Sequence, residues 1–260
     1  MTVAPPKVSP VAPASGETPA LDLTDVGYAF GRTVALDGVS FRCRRGTVHT
    51  VLGENGSGKS TLVKVISGVL RPLQGTVTIG AEPLKPVSPR RARGLGVATV
   101  FQEVLVAPTL NVEQNVMLGR DGWLTRSEPR TGRADRIREV LGEISAHSFD
   151  LKRKVGELDL VRRHQVAIAR ALLIQPDVLV LDESTAALDV SERDLLFEAV
   201  RRRVKEGMAV VFISHRLEEV LGLSDEVTVL SSGQKVATLE SEEILEPRLL
   251  DLLNPERAHR

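Results

Sequence analysis

The sequence predicts an α/β fold: a largely parallel sheet with flanking helices, preceded by a β-rich lobe and interrupted by a helical stretch. Three observations predict it. Asp177 to Leu181 and Ala209 to Ile213 are almost wholly apolar, the composition of strands covered on both faces in a parallel sheet. Between them, about Val190 to Lys205, lies a segment able to supply the crossover helix. Earlier, Gly53 to Ser60 forms a glycine-rich loop between a run rich in β-branched residues and an apolar pattern of helical period.

Met1 to Ala20 is rich in Pro, Ala, Ser and Thr without periodicity, a composition that cannot offset its ordering entropy and is expected to be a flexible tail. The main domain is expected over 21–240. Short β-branched runs bounded by glycines follow around Leu21 to Tyr28, Gly38 to Arg42, Thr47 to Leu52 and Thr76 to Ile79. A helix is expected after Gly58, because Leu62, Val63, Val65, Ile66 and Val69 recur at helical spacing before Pro72. Gly96 to Phe101 is a further strand candidate. Segments dense in Arg and Glu come next and read as amphipathic helices, giving a helical subdomain over approximately 103–172. Glu226 to Leu230 and Lys235 to Leu239 are expected as closing strands joined through Ser232-Gly233, and 241–260 as a polar tail. No internal repeat is evident.

A chain of 260 residues can bury a sizeable core and suits one large domain, with or without a subdomain. Lys plus Arg and Asp plus Glu each number 34, so no global field draws the chain onto nucleic acid or anionic lipid. Cys43 is the single cysteine, which excludes an intrachain disulfide and favours a core thiol in a reducing compartment, the cytosol. No apolar run approaches the ~20 residues of a membrane-spanning helix, and the amino terminus lacks the apolar core of a secretory signal. If the protein serves a membrane, it docks on one.

Gly53-Glu54-Asn55-Gly56-Ser57-Gly58-Lys59-Ser60 matches G-x-x-x-x-G-K-[ST] in the strand-loop-helix context that this phosphate-binding motif requires. Glycines let the backbone curl so that successive N–H groups point at phosphate oxygens, and the helix N-terminus adds positive dipole. Lys59 is expected to reach the β- and γ-phosphates. Ser60 is expected to ligate Mg²⁺, and Thr61 is counted with Gly53 to Ser60 among the nucleotide-binding residues. A second element is Val178-Leu179-Val180-Leu181-Asp182-Glu183, an apolar strand ending in two acids. Alternation along the strand sends Asp182 toward the metal shell and Glu183 toward an attacking water. Alone, such a pair more often caps a helix; the phosphate loop favours the catalytic alternative.

At these residues the chain resembles the nucleotide-binding subunits of ATP-binding cassette (ABC) transporters, from about Leu21 to Leu239. The resemblance implies a RecA-like P-loop core with an N-terminal antiparallel β-lobe and an inserted α-helical subdomain, binding ATP and Mg²⁺. It implies that Gln102, in Val100-Phe101-Gln102-Glu103, is the Q-loop glutamine that senses Mg²⁺. It makes Asp189, in Ala187-Leu188-Asp189, part of the D-loop. It makes His215, in Ile213-Ser214-His215-Arg216, the histidine that contacts γ-phosphate, although a cap of the following helix is an alternative role. Phe30, before Gly31, stands where the family puts an aromatic against adenine, with Tyr28 a competitor. Phe101-Gln102-Glu103, the stretch Pro108 to Arg120, and Ile213 to Val220 are similar to subunits of ribose- and galactose-type importers. The implied cargo is a sugar or related small polar solute. The implied partners are membrane permease subunits, an extracytoplasmic solute-binding protein and a second ABC ATPase, at the cytoplasmic face of the cell membrane.

The sequence departs from the family at its signature. Anchored on Val166 to Leu172, the Leu-Ser-Gly-Gly-Gln-like segment falls on Leu158-Asp159-Leu160-Val161-Arg162. Asp159 replaces the serine hydroxyl, and Leu160 and Val161 replace glycines. A carboxylate a few ångströms from γ-phosphate would repel it by roughly 1–4 kcal/mol, and branched side chains add a steric obstacle. Asp159 is also a good helix cap. The degraded signature implies pairing with a distinct ATPase, with a homodimer of two impaired sites as the alternative. Ser184, where the family usually has proline, is a milder departure. Two other functions remain open: a regulatory subunit that binds ATP with little turnover, and a soluble ABC ATPase outside transport.

Overall fold

The computed structural model describes residues 18–119 and 132–253. In chain order, strands β1 (Leu21–Phe30), β2 (Thr33–Cys43) and β3 (Val48–Leu52) precede helix α1 (Lys59–Ile66). Next come β4 (Gln74–Ile79), β5 (Glu82–Pro83), α2 (Pro89–Gly94) and β6 (Val97–Val100), then helices α3 (Val112–Met117), α4 (Arg133–Ile144) and α5 (Leu160–Leu173). The last part alternates β7 (Val178–Asp182), α6 (Val190–Lys205), β8 (Ala209–Ile213) and α7 (Leu217–Leu223), and closes with β9 (Glu226–Ser231), β10 (Gln234–Glu240) and α8 (Glu246–Leu253).

Two sheets result. The first is antiparallel, ordered β2-β1-β4-β5; the second is six-stranded, ordered β10-β9-β3-β8-β7-β6. Within the second, β9, β3, β8, β7 and β6 run parallel and β10 is an antiparallel edge. The apolar runs β7 and β8 are buried throughout, and strand alternation divides them between two cores. Val178, Val180, Val211 and Ile213 face α1 and the antiparallel lobe, while Leu179, Leu181, Val210 and Phe212 face α3 to α6. The β9–β10 hairpin turns on Ser232 (φ 48°) and Gly233 (φ 80°), the paired positive φ values of a two-residue turn matched to strand twist.

Two expectations change. The apolar pattern through Val69 suggests a helix to Pro72, yet α1 stops at Ile66. Gly68 takes φ 73°, where a Cβ would collide with the Ser88 carbonyl oxygen at 2.5 Å, and Val69 is left half exposed. The stretch 241–260 reads as a polar tail, yet 241–253 forms a 3₁₀ turn and α8. Leu249, Leu252 and Leu253 have helical spacing and pack against Val227, Val229, Leu239 and Ile244, an amphipathic pattern hidden among charged residues. Residues 254–260 of that tail, 1–17 of the amino-terminal tail, and Arg120 lie outside the described residues.

Cys43 is buried and free, and burial pushes its thiol up to about 12, so it behaves as a core residue. His49 on β3 is also buried, stacked on Phe41 at 4.3 Å, with Nε2 2.8 Å from Thr228 Oγ1. Glu226 lies 3.5 Å from its Nδ1, but that carboxylate is taken by Arg44 at 2.7 Å, and burial holds the imidazole neutral with its pKa lowered to about 3. The unfolded chain takes up this proton near pH 6.5 and the folded chain does not. His49 therefore contributes stability above pH 6.5 that is lost as pH falls toward 3, at about 1.4 kcal/mol per pH unit. Urea unfolding across that range is expected to show His49→Asn with a shallower pH dependence than the parent by this slope. An unchanged slope would remove His49 as its source.

Candidate active site

The phosphate loop leaves β3 at Leu52 and is packed on three sides. A Cβ on Gly53 would run into the Leu230 carbonyl oxygen of β9, and one on Gly58 would lie 2.5 Å from the Ala35 carbonyl oxygen of β2. Gly56 (φ 84°) and Gly58 (φ 104°) occupy the left-handed region, which glycine enters without strain. Gly233 N donates to Ser57 O at 3.1 Å, so the β9–β10 turn braces the loop. Ala35, Leu230 and Gly233 thus shape the cradle. The sequence reading missed them because they are ordinary strand and turn residues brought in from distant positions.

Lys59 is buried, and its Nζ donates to Gly53 O at 2.7 Å and Glu54 O at 2.8 Å. Burial lowers its pKa, opposed by Glu183, Asp182 and Glu54. Gly58 caps α1 without a side-chain hydrogen bond, and the buried Ser57 Oγ has no partner among the described residues. Glu54, Asn55, Gly56 and Ser60 are exposed, with Thr61 half-buried behind them. The loop thus combines glycines in left-handed conformations, a buried cation and the hydroxyls of Ser57 and Ser60 at the start of a helix, the residue types a polyphosphate site requires.

Asp182 ends β7 and is buried, and its carboxyl is pushed up to about 6 by burial and then Glu183, against Lys59 and Lys64. The alternation expected to separate the two acids does not continue through Glu183. The strand stops at Asp182, and Glu183 takes φ 45°, a left-handed conformation that is strained for a side chain of this kind. Its N–H donates to Ile213 O at 3.1 Å, which holds the turn. Here Gln102, beyond β6, donates from Nε2 to Glu183 Oε2 at 2.9 Å, and His215, beyond β8, has Nδ1 3.4 Å from Glu183 Oε1. Residues far apart in sequence thus meet past the carboxyl ends of three adjacent parallel strands, where open α/β sheets bind ligands. His215 does not cap α7, which starts after Arg216 with no side-chain cap. Ser184 is fully buried with no partner for its Oγ among the described residues.

Tyr28 and Phe30, the two aromatic candidates, differ in exposure. Their rings meet edge to face at 4.9 Å; Tyr28 packs against the core, and Phe30 is 51% exposed. Phe30 pairs with Thr33 across the β1–β2 turn, and two residues further along β2 the Ala35 carbonyl abuts Gly58 of the loop.

The remaining residues lie apart. Asp159 caps α5, its Oδ1 accepting from Arg162 N at 2.8 Å, with Leu160 exposed, Val161 packed on the core and Arg162 5.8 Å from the Phe149 ring centre. Asp189 caps α6 by accepting from Glu192 N and Ser191 Oγ, which holds its carboxyl below the usual range. Among the described residues, neither segment makes a hydrogen bond or ion pair with the cluster of Lys59, Gln102, Glu183 and His215.

Residues 36–186 match the family model for ABC transporters. A ribose import ATP-binding protein of Rubrobacter xylanophilus is 41% identical over 239 residues, covering 90% of this chain and 47% of its own length. One from Escherichia coli O157:H7 is 37% identical over 252 residues, covering 92% of this chain and 49% of its own length. The chain thus spans about half the length of the curated relatives it matches. A nucleotide-free ATP-binding cassette from an ABC transporter superposes with TM-score 0.76 at 27% identity, covering 90% of this chain and 96% of that chain. The ADP conformation of an ATP-binding cassette of an ABC transporter gives TM-score 0.75 at 27% identity, over 90% of this chain and 98% of that chain.

Proposed function

This chain belongs to the ABC transporter family, and from that premise we propose that it binds and hydrolyses Mg-ATP to energise the import of a sugar or related small polar solute. The observation that carries the reading is the meeting of Gln102 and His215 on Glu183, beside a phosphate loop whose Lys59 interacts with Asp182 and Glu183.

In this proposal Phe30 stacks on the base, and Gly53 to Gly58 direct N–H groups at the phosphates. Lys59 leaves the Gly53 and Glu54 carbonyls to neutralise the β- and γ-phosphates. Glu183 accepts hydrogen bonding from a water and polarises it, and His215 orients the γ-phosphate against it. Ser60, Asp182 and Gln102 are the residues that would hold Mg²⁺, a set of oxygen donors suited to a hard cation beside a buried, partly neutralised carboxyl. That ion would draw charge from the phosphate oxygens. Gln102 has two uses for one side chain: while it donates to Glu183, it shields that carboxylate.

The similarity to ribose import proteins supports a sugar as cargo. No helix among the described residues is long and apolar enough to cross a membrane. The similarity to import ATP-binding proteins supports coupling to permease subunits, with an external solute-binding protein completing the system. The chain then acts at the cytoplasmic face of the membrane.

Asp159, Leu160 and Val161 support pairing with a different ATPase. In a paired assembly this segment would face the partner's γ-phosphate, and it offers a carboxylate and an apolar surface there. The site using Gly53 to Ser60 of this chain and an intact signature from the partner turns over; the reciprocal site does so poorly. Replacing Asp159→Ser, Leu160→Gly and Val161→Gly together is expected to raise phosphate release by a homodimer about tenfold, the equivalent of ~1.4 kcal/mol of repulsion. Unchanged release would count against the repulsion. The same segment favours a second reading, an ATP-binding regulatory subunit with little turnover. Calorimetric Mg-ATP binding combined with phosphate release separates the two: binding with release supports the motor, and binding alone supports the regulator.

A further inference from the structure

Beneath the first turns of α5 and α6 lies a buried polar contact that none of the proposed chemistry uses. Gln165 is fully buried on α5, and its Nε2 donates to Glu192 Oε1 at 3.0 Å and to the Ile144 carbonyl, at the end of α4, at 3.2 Å. Its own Oε1 has no partner among the described residues. Glu192 is 5% exposed one turn into α6, and its backbone N–H donates to Asp189 Oδ1 at 2.9 Å. An unbroken series therefore runs from the Asp189 carboxylate through Glu192 and Gln165 to the end of α4. A carboxylate buried in this way is tolerated only when a donor is fixed against it, which makes the contact directional and sensitive to small displacements.

The two helix starts joined by this contact are the segments headed by Asp159 and Asp189. In the paired assembly proposed above the Asp159 segment faces the second subunit, and the hydrogen-bond series ties the Asp189 segment to the same helix, whereas the loop that holds this chain's own nucleotide lies elsewhere. We propose that Gln165 and Glu192 form a positioning pair that fixes the Asp189 segment relative to α5, and that this spacing governs turnover without changing nucleotide affinity. The link to turnover rests on the reading that the chain hydrolyses ATP. The link to position does not.

Three variants of the full chain test it: Gln165→Leu, Glu192→Gln, and Gln165→Leu with Glu192→Leu. Amide hydrogen exchange across 186–191, Mg-ATP affinity, and phosphate release at saturating Mg-ATP by the membrane-extracted complex are measured on each. Gln165→Leu and the double variant are expected to speed exchange across 186–191 about tenfold and to slow phosphate release about tenfold, with affinity within twofold of the parent. Glu192→Gln can still accept from Gln165 and is expected to stay within twofold in every measurement. The double variant removes the buried carboxyl together with its donor. If it returns exchange and turnover to parental values, Gln165 merely satisfies a buried acceptor and the proposal fails. Parental exchange in Gln165→Leu also overturns it. A parent chain that releases no phosphate overturns the hydrolysis reading instead, and exchange across 186–191 then decides the pair on its own.

Discussion

Glu183→Gln is expected to bind Mg-ATP at least as tightly as the parent chain and to release phosphate at least ~100-fold more slowly. The substitution preserves shape, and the amide oxygen can still accept from Gln102, whose Nε2 lies 2.9 Å from the carboxylate now. What disappears is the charge that would polarise the attacking water. Binding is spared because no hydrogen bond joins Glu183 to the loop from Gly53 to Ser60 among the described residues. Removing a negative charge near the γ-phosphate, if anything, favours the nucleotide. A second consequence concerns Asp182, whose carboxyl is pushed up to about 6 partly by Glu183. It will ionise at lower pH in the variant. Phosphate release and nucleotide retention, measured on the same preparation, check both halves; parental release would remove Glu183 from its role.

Lys59→Ala is expected to lower Mg-ATP affinity by about fivefold to nearly a thousandfold, the range equivalent to ~1–4 kcal/mol of Coulombic attraction. Two effects act together. The Nζ that braces Gly53 O and Glu54 O is lost, which loosens the cradle even without nucleotide. The cation that partly compensates Asp182 and Glu183 is lost as well, so the site becomes more repulsive to phosphate. Arginine would not rescue it, because a planar guanidinium cannot occupy the place of a compact ammonium between two loop carbonyls. Titration calorimetry gives the affinity and thermal unfolding the loop's contribution to stability. Affinity within threefold of the parent would contradict the assignment.

The parallel core was legible because its strands are apolar on both faces, and the phosphate loop because glycine spacing carries its own geometry. Ala209–Ile213 and Val190–Lys205 fall where the pattern puts them. The end of α1 was not, since the pattern through Val69 carries no mark of the left-handed turn at Gly68. Nor was α8, whose four leucines are interspersed with charged residues. At the site, the residues could be chosen from sequence but their junction could not. Gln102, Glu183 and His215 meet because β6, β7 and β8 are neighbours, and Glu183 is aimed by a strained turn rather than by strand alternation. The Gln165–Glu192 contact had no sequence signal, because a buried glutamine and a surface glutamine look alike until the packing is known.

The central claim is that this chain turns ATP hydrolysis into work at a membrane. Its most direct test is phosphate release by the complex that accompanies the chain when it is extracted from membranes in mild detergent, with the accompanying proteins identified by mass spectrometry. A permease in the complex, together with a second, distinct ATPase and release abolished by Glu183→Gln, is the predicted result. Recovery of the chain without a membrane partner, or release indifferent to Glu183, would contradict it.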